Sequence, residues 1–191
     1  MNAIEPQRPD LARELIARAS QAAGRRTRRI RNRLNGVEVS HDRHADHVDA
    51  KVLRRILAEH DWPGHRLVGL DAARAAWSLA LHADEDPDLQ RAATTLLKRA
   101  VQEGDAPVPH WAHLQDRTLA NSGLSQEFGT QQVLNAAGVE LCPVRDPDSL
   151  DERRSSVGLP PIADALERVR RRLASAYLVD DVATVVLAEV A

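Results

Sequence analysis

The sequence predicts a mainly α, compact multi-helix domain with a small β-hairpin or extended segment near 126–144. Three observations lead there. Aromatic residues make up only 3% of a chain that is 43% hydrophobic, so the core has to be built from Ala, Leu and Val. Apolar residues recur at helical spacing along most of the chain, and Pro- and Gly-containing stops separate the runs. Only after Gln126 does the texture change to short β-compatible runs.

The N-terminal residues are polar and contain Pro6 and Pro9, a short leader. Asp10 is placed to cap a helix from Leu11, with Leu11, Leu15, Ala19 and Ala22 as its apolar stripe. Six arginines crowd Arg25 to Arg33, while Ile30 and Leu34 continue the stripe and Gly36 ends it. Such a run reads either as an anion-binding face or as a solvated face turned to the chain's acidic residues. Val37 to His47 is a polar connection carrying His41, His44 and His47, a metal-like trio without a rigid frame.

Val48, Val52, Leu53, Ile56 and Leu57 predict a helix over 46–60, stopped by Asp61-Trp62-Pro63-Gly64. A loop over 65–70 follows, and Asp71 is placed to cap an almost wholly apolar helix through Leu81. His82 and Asp84 then fall in a short joint before Asp86-Pro87, a cap followed by proline that starts the next helix, ending near Gly104. Pro109 opens a helix to Asn121, with Trp111, Leu114, Thr118 and Leu119 inward and Asp116-Arg117 beside them. Gln126 to Gln131 reads as extended chain, and the runs up to Val144 as a two-stranded hairpin. A short helix over 149–156, capped by Asp148, precedes a last long helix opened by Pro160-Pro161, with Ile162, Leu166, Val169, Leu173 and Ala176 inward. The valine-rich tail suits a terminal helix docked on the body or on a partner. Three regions result: 1–45, an arginine-rich helix and polar connection; 46–178, the helical domain; and 179–191, the tail.

A net charge of -2 lacks the basic footprint of a nucleic-acid binder. The single cysteine, Cys142, cannot form an internal disulfide, which fits a reducing, cytoplasmic setting. No apolar run is long enough to span a membrane. Only Lys51 and Lys98 are lysines, so positive charge is almost all arginine, as GC-rich coding would give.

Three polar clusters carry the chemistry. His82 can move a proton near neutral pH, with Asp84 or Asp116 to orient it. Arg117 can clamp a carboxylate or phosphate, Gln126 and Gln131 can position a polar substrate, and His113 shares a helix face with Arg117. Each also has a structural reading: an ion pair for Asp116-Arg117, a helix C-terminal cap for His82.

Trp62-Pro63-Gly64, His82-Ala83-Asp84, Asp116-Arg117, the stretch Gln126-Glu127-Phe128-Gly129-Thr130-Gln131, and Arg153-Arg154 through Gly158-Leu159-Pro160 together resemble the DUF6624 proteins, a bacterial family of unknown function. The resemblance covers roughly Asp46 to Leu166. The chain departs from the family's pattern at Asp61, where that pattern has glycine, at Leu81, where it has glutamine, and at Phe128, where it has tyrosine. The first helix also lacks the family's Asp-Gln pair. The resemblance strengthens the site and implies no reaction.

Two functions fit. One is a small helical enzyme with His82, Asp84 and Asp116 as catalytic groups and Arg117, Gln126, Gln131 and His113 binding a small polar molecule or peptide. Hydrolysis or cyclisation at an amide or ester-like carbon would suit it, with water or the substrate itself attacking. No cofactor is expected; a divalent metal on His82, Asp84 and Asp116 is the variant. The other is a non-catalytic binding or partner protein, a homo-oligomer among the options, whose polar cluster is structural.

Overall fold

The computed structural model describes residues 5–34, 42–135, 138–177 and 185–188. It is mainly α, as the periodicity predicts, with a small antiparallel sheet, and divides into two compact units: Met1–Arg29 with Glu38–Pro107, and Ile30–Val37 with Val108–Ala191.

In the first unit, α1 (Pro9–Leu34) begins one residue before the expected cap, because Pro9 suits the first helical turn where an N–H would be unpaired. Leu11, Leu15 and Ala22 are buried as predicted. The arginine run is helical, but its face is not uniformly solvated. Arg25 is buried, paired through Nη2 with Asp49 and through Nε with Asp46 at 3.2 Å, while Arg29 reaches Asp46 at 2.7 Å and Arg18 reaches Asp49 at 3.0 Å. These pairs hold the first turns of α2 (Asp42–His60), which therefore starts four residues earlier than predicted and takes up His44 and His47. Gly36 and His41 lie outside the described residues.

The expected 65–70 loop contains a short helix, α3 (His65–Val68). Its cap comes from a distant residue. The Asp105 carboxylate accepts the Arg66 N–H at 2.9 Å, and the Asp105 carbonyl accepts the His65 N–H at 3.2 Å. Gly64 allows that approach, since a Cβ there would overlap Asp105. The next helix, α4 (Leu70–Leu81), starts behind Gly69, not Asp71, and eight of its residues are buried. In α5 (Pro87–Gln102), Asp86 caps as predicted, accepting the Leu89 N–H at 3.1 Å.

The second unit holds α6 (Val108–Asn121), α7 (Leu150–Ser156) after a 3-10 turn at Pro147–Ser149, and α8 (Ile162–Tyr177). Its apolar core gathers Ala112, Phe128, Val157 and Leu159, with Trp111 edge-on to Phe128 at 5.6 Å between ring centres. The predicted hairpin is present as β1 (Gln131–Asn135) and β2 (Gly138–Leu141), antiparallel from Gln132↔Leu141 to Asn135↔Gly138.

The tail corrects the expectation of a helix. Val185–Ala188 forms β3, antiparallel to β1 from Gln131↔Ala188 to Leu134↔Val185, so the sheet order is β2-β1-β3. β-Branched valines lose rotamer freedom in a helix and fit a pleated strand, and β1 supplies the edge they need. Val182 and Val190 lie outside the described residues.

The Arg25–Asp49 pair should be a strong determinant of stability. Asp49→Ala leaves a buried guanidinium with Asp46 alone and is expected to lower unfolding free energy by about 3 kcal/mol in urea denaturation. Arg54→Ala, which removes a more exposed pair with Asp86, should cost no more than about 1 kcal/mol.

Candidate functional site

The second unit brings Asp116, Arg117, Gln126 and Gln131 together, with His113 on the same helix as the first two. Its centre is the segment 126–131, which is not a helix and joins regular strand pairing only at its last residue, yet is mostly buried. Water cannot serve the inner backbone groups of such a segment, so side chains must.

Asp116, fully buried on α6, serves the N–H groups. One carboxylate oxygen accepts from Glu127 at 2.8 Å and Phe128 at 3.1 Å, and the other from Thr130 at 2.9 Å and Phe128 at 3.2 Å. Burial pushes the Asp116 carboxyl up, against the opposing pull of the Thr130, Phe128 and Glu127 N–H groups. Three N–H donors, one shared between both oxygens, thus engage the carboxylate, and the Thr130 side chain bonds it as well.

Two adjacent arginines on α7 serve the carbonyls. Arg154, also fully buried, donates to the carbonyls of Phe128 and Pro160, each at 2.6 Å. Arg153 donates to the carbonyl of Glu127 at 2.8 Å and that of Asp146 at 3.0 Å. Gly129 lies between them with φ 64°, and a Cβ there would press on Leu141, Leu150 and Val144 at 3.3–3.4 Å.

Gln126 acts like a strand in miniature. Its Oε1 accepts the Gln131 N–H at 2.6 Å, and its Nε2 donates to the carbonyls of Gln131 at 3.1 Å and Cys142 at 3.0 Å. Its own backbone bridges to the chain around Val144. The Gln131 amide donates to Thr130 Oγ1 at 3.0 Å, and its Oε1 accepts from half-buried Arg117 at 3.2 Å. Cys142 is half-buried, and burial pushes its thiol up against the nearby Arg117 charge, so it is not an activated nucleophile.

His113 is fully buried, and burial, helped by His110 and Arg154, lowers its imidazole to about 3. At neutral pH it carries no charge to offer an anion.

His82 and Asp84 belong to the first unit. His82 is half-buried and caps the C-terminus of α4. Asp84 accepts from Gln90 Nε2 at 3.2 Å, and the same amide reaches the Leu81 carbonyl at 3.2 Å. Among the described residues, no group of three or more His, Cys, Asp or Glu side chains is placed to hold a metal ion, and no helix is long and apolar enough to cross a membrane.

The Arg153-Arg154 pair has no role legible from its residues alone. Its signal was present, two arginines eight and nine residues before a Pro-Ile helix start, but the chain's abundance of arginine hid it. Gln90 and Asp105 were missed because their work is done on distant backbone.

A model of a family of unknown function, DUF6624, matches residues 9–180 and so takes in the arginine-rich helix as well as the body. No curated protein and no solved structure matches.

Asp116→Asn replaces acceptors with an amide that must turn donors toward the N–H groups of 127–130. It is expected to cost about 3 kcal/mol or more, read as a fall in Tm and in urea midpoint. A variant as stable as the parent would show the clamp to be dispensable. For His113, the unfolded chain binds a proton below its ordinary value of 6.5 while the folded imidazole refuses one down to about 3. Its contribution to stability is therefore lost as pH falls through that window, by up to about 1.4 kcal/mol per pH unit. His113→Gln should flatten the acid limb of the stability–pH curve between those limits.

Proposed function

Because the chain belongs to the DUF6624 family, whose description carries no activity, we propose from its own geometry that it is a non-catalytic binding or partner protein whose polar cluster is structural. One observation carries this reading: both oxygens of Asp116 are committed to the backbone N–H groups of Glu127, Phe128 and Thr130. A general base needs a free lone pair aimed at substrate, and a clamp does not. The clamped segment is a stiff ledge, and half-buried Arg117, donating to Gln131 at 3.2 Å, is among the cations beside it. A small polar molecule or peptide bearing a carboxylate or phosphate is the partner that such a group recognises. The lone cysteine and the absence of a spanning helix among the described residues support a cytoplasmic setting.

A second reading has its own support, in the first unit. Gln90 fixes Asp84 two residues from the half-buried His82. That pair would suit acid–base chemistry on a small polar substrate. His82 would take a proton from attacking water, or from the substrate's own nucleophile, and return it to the leaving group of an amide or ester.

Incubation of the full chain with a deproteinised bacterial metabolite extract, followed by ultrafiltration and mass spectrometry, separates the two. The binding reading expects a retained species of unchanged mass, with retention reduced at least about tenfold in Arg117→Gln. Time-dependent consumption by the parent, lost in a His82→Ala variant with an unchanged melting curve, would replace it with the enzyme reading.

A further inference from the structure

The Trp62-Pro63-Gly64 turn does more than stop α2. With α3 and α5 it walls a cleft of about 280 Å³ in the first unit, near the lower size limit of small-molecule sites. Trp62, Leu67, Leu96 and Ala100 give its otherwise more polar surface an apolar part, and Asp61 and Arg99 stand among the charged groups lining it. Most other charges there are committed: Arg66 donates to the Glu103 carbonyl at 2.9 Å, and Asp105 caps α3.

Asp61 and Arg99 differ from those neighbours. Their closest approach is 3.5 Å, with each side chain more than half exposed, and neither has a closer polar partner among the described residues. That separation is too long for a charge-assisted hydrogen bond, so opening the pair loses little. Asp61 also holds φ 57°, a left-handed conformation that glycine adopts without cost. The chain thus carries a carboxylate at a strained position, beside that apolar part and opposite an uncommitted guanidinium. That conformation also ends α2 behind His60, as a left-handed residue commonly does, so the loose pair and the cleft are what mark the position.

We propose that this cleft binds a small zwitterion, an α-amino acid with an aliphatic side chain. Its carboxylate sits on Arg99, its ammonium on Asp61, and its side chain on Leu67, Leu96 and Ala100. Insertion replaces one loose contact with two charge-assisted ones. The inference draws on no residue of the second unit and does not depend on the reading of Asp116.

Calorimetric titration and thermal shift of the full chain with L-leucine test it, with isopentylamine and 4-methylpentanoate as probes carrying one charge each. Saturable binding of leucine is expected, with each half-probe and Arg99→Gln at least about tenfold weaker. Asp61→Gly should bind leucine equally poorly while melting no lower than the parent, since glycine relieves the strained backbone. That separates lost binding from lost folding. Absence of a saturable response to leucine at millimolar concentration, equal affinity for a half-probe, or parental affinity in Asp61→Gly would each overturn the proposal.

Discussion

A buried run of chain without regular structure has to find a partner for each backbone group, and the middle of the 126–131 segment finds many of them in charged side chains of opposite sign. The Asp116 carboxylate gathers the N–H groups of Glu127, Phe128 and Thr130, while Arg153 and Arg154 gather the carbonyls of Glu127 and Phe128. The peptide dipoles thus lie between an anion and cations, each stabilising the other's orientation. An unpartnered buried group costs on the order of 1–3 kcal/mol, so several at once would rival the whole stability of a domain. This arrangement lets Phe128 bring its ring to Trp111 and complete the apolar core of the second unit.

The clamp also decides how the nearby polar residues can act. Gln126 has both ends of its amide spent on the chain around Gln131 and Cys142, which fixes the start of β1. Asp116 combines a carboxyl raised by burial with acceptors that are already taken. A perturbed carboxyl in a protein interior is a common sign of catalysis, but here the same burial serves a scaffold. Arg117, half-buried and donating to Gln131, lies beside the clamp and is not part of it.

The sequence disclosed those features that local rules produce. Asp86-Pro87 marked the start of α5, the apolar periodicity marked α4 as the buried helix of its unit, and the glycine-centred 126–131 stretch marked a break from helix. It also placed Asp116, Gln126 and Gln131 in one candidate set, and the three lie together within the second unit. What it did not disclose depends on distant partners. The Asp105 cap that makes α3 a helix comes from beyond α5, and β3 becomes a strand because β1 offers it an edge. His82 and Asp84 belong to the first unit, and order along a chain carries no information on which unit a polar stretch joins.

Arginine abundance shows why composition hides such roles. A bias toward arginine in coding and a structural need for arginine leave the same letters in the sequence. They differ in burial and in geometry. Arg54 and Arg171 are exposed and each pairs with one carboxylate, where an ammonium would serve as well. Arg154 is fully buried and sends Nε to one carbonyl and Nη1 to another, each at 2.6 Å. Only a planar fork reaches two fixed acceptors from one rigid group, and its weaker hydration makes burial less costly than for an ammonium. Arg25, buried against Asp46 and Asp49, meets the same requirement. Background bias thus supplied many interchangeable surface cations and concealed among them the few that the fold cannot exchange.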